Sequence, residues 1–100
     1  MRLSDEQRQI LVHTVHRIMG NESELWLFGS RANDTALGGD IDLYIETPPI
    51  ADPVQRRIEL KLALYDQMGE QKIDVVHHMT SEPLLPIHEH ARRTGLRLSS

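Results

Sequence analysis

The chain reads as an α/β (α+β) protein, one small mixed β-sheet flanked by helices, in the order α-β-(short α)-β-α-β-α. Two observations predict this. Segments with apolar residues at helical spacing (Leu11, Val15, Ile18; then Val54, Ile58, Leu62, Tyr65) alternate with short apolar runs, and Gly or Pro marks the junctions. The connections also differ in length. The loop between the first two runs is too short for a full crossover helix, which predicts antiparallel strands, whereas the long helix between the second and third suits a parallel, right-handed crossover.

Each element has a local reason. Ser4 followed by Gln7 spells a capping box, and Gly20 supplies a stop, so the first helix covers about Asp5 to Met19. Leu25-Trp26-Leu27-Phe28, ended by Gly29, is a strand buried on both faces, followed by a helical turn. Asn33 to Gly39 is a polar loop, and Asp40 to Ile45 alternates as a second strand that Pro48 and Pro49 end. Asp52 as N-cap with Pro53 at the first helical position opens a helix to about Met68, before Gly69. Lys72 to His77 is a third strand. Ser81, with Pro83 early, starts a last helix to about Arg93.

One hundred residues predict a single domain, 1–100, with one modest core. Eleven Lys and Arg against fifteen Asp and Glu give a net charge of −4, so a nucleic acid is a disfavoured partner. The pairs Arg56-Arg57 and Arg92-Arg93 read as solvated helix faces. Zero cysteines exclude disulfides, thiolate metal sites and a cysteine nucleophile. The amino terminus lacks an apolar signal core, and no apolar run approaches the roughly 20 residues of a membrane helix; the expectation is a cytoplasmic protein without a membrane partner.

Acidic residues carry the chemistry. Residues two apart on a strand share a face, so Asp40 and Asp42 project together, opposite Ile41, Leu43 and Ile45. Asp74 lies in the third apolar run and joins them if that strand is the neighbour. At about 5 Å, each like-charge pair costs roughly 3 kcal/mol at an effective dielectric near 20. Hard divalent cations, Mg2+ above all, offset that repulsion and pair carboxylates with substrate phosphates. Gly29 and Ser30 follow the first strand, where a glycine turn lets backbone amides approach phosphate and the Ser30 hydroxyl adds a donor. Arg31 either contacts phosphate or pairs with Asp34 or Glu46.

Together these residues, Leu-Phe-Gly-Ser-Arg-Ala, then Gly-Asp-Ile-Asp-Leu, then a distal Ile-Asp-Val, resemble the minimal nucleotidyltransferases of the DNA polymerase β superfamily. That resemblance implies the polymerase β-like fold and transfer of a nucleoside monophosphate, often AMP from ATP, to a hydroxyl with release of pyrophosphate. It implies nucleotide binding by Gly29 and Ser30, beside which Arg31 is the candidate further phosphate contact, and catalytic and metal-binding roles for Asp40, Asp42 and Asp74 with two Mg2+ ions as cofactors. It also implies a helical partner of the HEPN class, with this chain as the antitoxin of a toxin–antitoxin pair. Gly38 and Gly39 stand where the family usually carries Ser or Thr before the first acid. The alternative is an interaction module that neutralises a toxin by binding alone.

The histidines are assigned no chemistry. His77 and His78 point to opposite strand faces, His88 and His90 diverge on a helix, and His13 and His16 fall away from the apolar stripe. The long helix carries two stripes, Val54/Ile58/Leu62/Tyr65 and Leu60/Leu64/Met68, and one sheet cannot cover both. The second stripe is expected to pack under the last helix or against a partner or second copy, which makes a homo-oligomer one expectation.

Overall fold

A computed structural model describes residues 4–28, 41–69 and 72–98. Its elements are α1 (Asp5–Met19), β1 (Glu24–Phe28), β2 (Ile41–Thr47), α2 (Pro53–Met68), β3 (Ile73–Met79), α3 (Pro86–Thr94) and β4 (Leu96–Arg97). The expected helical turn after Gly29 lies outside the described residues.

The start of α1 is a true capping box: Ser4 Oγ accepts from the Gln7 amide at 3.1 Å, and Gln7 Oε1 accepts from the Ser4 amide at 3.0 Å. Gly20 takes φ 109°, a conformation costly for any residue with a Cβ, and its amide closes the helix on the His16 carbonyl. At α2 the sequence signal was half right. Asp52 is the N-cap but sits in the left-handed region and makes no side-chain capping bond, so Pro53 carries the start.

The sheet order is β3-β2-β1-β4. β1 and β2 are antiparallel, and β2 and β3 are parallel across the α2 crossover. β4 was not expected from the sequence. It is two residues long, too short for any alternation to show, and it pairs antiparallel with β1.

Alternation along the strands separates two cores. On one face Leu25, Leu27, Ile41, Leu43, Ile45 and Ile73 pack with Leu11, Val15, Met19, Leu60 and Leu64 of α1 and α2. On the other, Trp26, Tyr44 and Ala91 cluster under α3, with Phe28 and Val76 beside them. The sheet is thus sandwiched, and α3 lies on the face that the acids share.

Two expectations need correction. α3 begins at Pro86 rather than Ser81. The Met79 and Glu82 backbones bond at 2.9 Å while the Glu82 carboxylate accepts from the Met79 amide at 3.0 Å, which holds a turn. Pro86 then keeps Leu85 extended (φ −86°, ψ 162°), so helix starts only at the proline itself. On α2 the stripes are reversed: Leu60 and Leu64 are fully buried against the sheet, and Val54, Ile58, Leu62 and Tyr65 are exposed. Periodicity marks a stripe but does not say which of two faces inward.

Candidate active site

Parallel pairing brings Asp42 and Asp74 into register as direct Cα partners, each the second residue of its strand. Phe28 faces Asp42 from β1, so Phe28, Asp42 and Asp74 form one row across three strands. Local sequence explains the placement. Ile41, Leu43 and Ile73 are fully buried on the α1/α2 side, and alternation sends the intervening aspartates to the opposite face. Asp42 is half-buried and Asp74 exposed. Neighbouring strands lie about 4.8 Å apart, so two carboxylates leave one face close together. Both are hard oxygen donors, which is the chemistry Mg2+ prefers. Asp40, Gly29, Ser30 and Arg31 lie outside the described residues. Among the described residues no group of three or more His, Cys, Asp or Glu gathers as a metal cluster.

The next rows along the same face are closed by α3. Trp26, Tyr44 and Val76 come first, then Glu46 beside His78. Tyr44 is fully buried, 5.2 Å from Trp26 and 5.8 Å from His88 between ring centroids. Burial, reinforced by Glu46, pushes its phenol up to about 12. The His78 and His88 rings lie 4.5 Å apart between centroids, tilted by 41°. His88 Nδ1 accepts from the Leu85 amide at 3.0 Å, pinning the start of α3. Burial, then the neighbouring His78, lowers the pKa of His88 below the usual histidine value. On the opposite face His77 bonds Thr47 Oγ1 at 2.8 Å, and burial followed by Arg57 lowers its pKa as well.

Sequence reasoning missed this buried block. His78 and His88 are ten residues apart on different elements, and only the β3–α3 turn brings them together. Arg92 is likewise more than a solvated residue: it reaches Glu46 at 3.4 Å and lies 5.5 Å from the Trp26 ring centroid. Arg97 lies 5.3 Å from the same ring and pairs with Glu24 at 3.1 Å. These contacts seat α3 and β4 on the sheet. Arg56, in the other basic pair, donates to the Ile18 carbonyl at 3.1 Å and ties α2 to α1.

Among the described residues, three helices on a four-stranded mixed sheet, with two acids in register on its α3 face, define a small α+β protein built like a polymerase β-type nucleotidyltransferase. Residues 7–96 match the family described as "Nucleotidyltransferase domain", and the chain belongs to it. Among curated proteins no sequence relative matches. Nucleoside monophosphate transfer is therefore its general chemical class. Among the described residues no helix is long and apolar enough to cross a membrane.

Proposed function

We propose that this chain, as one domain over residues 1–100, transfers a nucleoside monophosphate, AMP from ATP, to a hydroxyl on a protein partner. The observation that carries the reading is the register of Asp42 with Asp74 on one sheet face within a nucleotidyltransferase domain. Asp40, Asp42 and Asp74 would hold Mg2+, which when bound neutralises triphosphate charge and makes the acceptor hydroxyl a better nucleophile. Asp74, more exposed than Asp42, is the group assigned to take the acceptor proton. Gly29, Ser30 and Arg31 would orient the triphosphate by amide, hydroxyl and guanidinium donors.

The sequence resemblance supports the finer biological reading, an antitoxin that modifies a HEPN-type toxin in the cytoplasm. The test uses labelled ATP with Mg2+ and a candidate toxin, on wild type and Asp42→Asn. Transfer by wild type, reduced on the order of a hundredfold in the variant while both still bind the partner, supports catalysis. Transfer that survives Asp42→Asn overturns the site, and partner neutralisation without any transfer overturns the enzymatic reading in favour of masking by binding.

A further inference from the structure

The outer surface of α2 faces away from the core and is apolar. Taking Ile58 as reference and about 100° per residue, Val54, Leu62 and Tyr65 lie within about 40° of it, while Leu60 and Leu64 lie about 160° and 120° away. Exposures of 49% for Ile58, 63% for Leu62 and 37% for Tyr65 show that none of the described residues covers this stripe. Its two flanks differ in charge. Arg57 and Lys61 line one side, and Glu59 and Asp66 line the other.

We propose that this face docks a second copy of the chain, with the two α2 helices side by side and parallel. Ile58, Leu62 and Tyr65 follow a 4-3 spacing, the seam spacing of paired helices. In a parallel pair related by a twofold along the helices, the basic flank of each helix faces the acidic flank of its partner; in an antiparallel pair, like flanks meet. Charge complementarity therefore selects the parallel arrangement. Lys61 and Asp66 are five residues apart, the offset at which flanking residues meet across a parallel seam, so the dyad makes two such ion pairs. Neither residue has an ion-pair partner among the described residues. α2 has 16 residues, about 24 Å of helix, so the contact is small and the dimer weak and concentration-dependent. Because α2 and the acidic row occupy opposite sheet faces, pairing leaves Asp42 and Asp74 accessible. The inference stands independently of the proposed nucleotidyl transfer.

Sedimentation velocity over a concentration series tests it, with circular dichroism to confirm that each variant is folded. Wild type should pass from monomer toward dimer as concentration rises, and Leu62→Glu, at an exposed site, should stay monomeric. Lys61→Asp and Asp66→Lys should each weaken dimerisation about tenfold, and the double charge swap should restore it. Three results overturn the proposal: a monomer at every concentration, a dimer indifferent to Leu62→Glu, or a double swap no better than either single change.

Discussion

Leu64→Ala and Leu62→Ala, two positions apart on α2, should differ several-fold in cost. Leu64 is fully buried between the sheet and α1, whereas Leu62 is 63% exposed. Truncating Leu64 removes three carbons from the core, about 2.4 kcal/mol at roughly 0.8 kcal/mol per buried methylene. The residual cavity raises the cost to about 3–4 kcal/mol. A chain of this size has only about 5–15 kcal/mol of stability, so that loss is a large fraction of the whole. At about 4–8 °C per kcal/mol it lowers Tm by at least about 12 °C. Leu62→Ala should change stability by less than about 0.5 kcal/mol at a concentration where the chain is monomeric. Thermal unfolding followed by circular dichroism reads both. Equal losses from the two variants, or a larger loss from Leu62→Ala, would refute the orientation of α2 and with it the outward stripe.

Gly95→Ala should cost about 1–3 kcal/mol in chemical denaturation, because the new methyl would press on the Ala91 carbonyl oxygen and come within 3.2 Å of Trp26 Cβ. Acidification should destabilise the fold: His77 and His88 have lowered folded pKa values, so the unfolded chain binds more protons below the ordinary histidine value near 6.5. The stability contribution is complete above that pH and declines beneath it; urea midpoints at pH 7.5 and 5.5 check the sign, and replacing His88 should flatten the difference. In nucleotide titrations, Asp74→Asn should abolish the thermal stabilisation that Mg2+ and ATP together give wild type, which at about one hundred times Kd is near 2.7 kcal/mol. Unchanged stabilisation would remove Asp74 from the site.

Much of the architecture was legible because strong local signals and tertiary demands agreed. Ser4, Gln7 and Gly20 bound α1 where the sequence placed it, and the connection lengths predicted both strand pairings. Asp42 and Asp74 could be paired from alternation and topology alone, since buried isoleucines flank both. Where the reading failed, the deciding interaction was remote or a later residue prevailed. Pro86 delays α3 despite a good start signal at Ser81, and β4 exists only because β1 offers it an edge. The His78–His88 contact spans two elements, beyond any local pattern, and the two stripes of α2 were equally apolar, so only packing could choose between them.

Asp74 lies on β3, one of the two edge strands of the sheet among the described residues, which pairs with β2 on one side. An edge strand reading Ile-Asp-Val-Val-His-His-Met would, without its acid, present a nearly uncharged β-prone strip able to recruit strands from other molecules. The same carboxylate that is assigned to chemistry is therefore also expected to act as a gatekeeper against edge-to-edge aggregation. A variant chosen to silence the site should keep polarity at this position: Asp74→Asn retains a polar side chain on the edge strand, whereas Asp74→Val would confound lost activity with lost solubility.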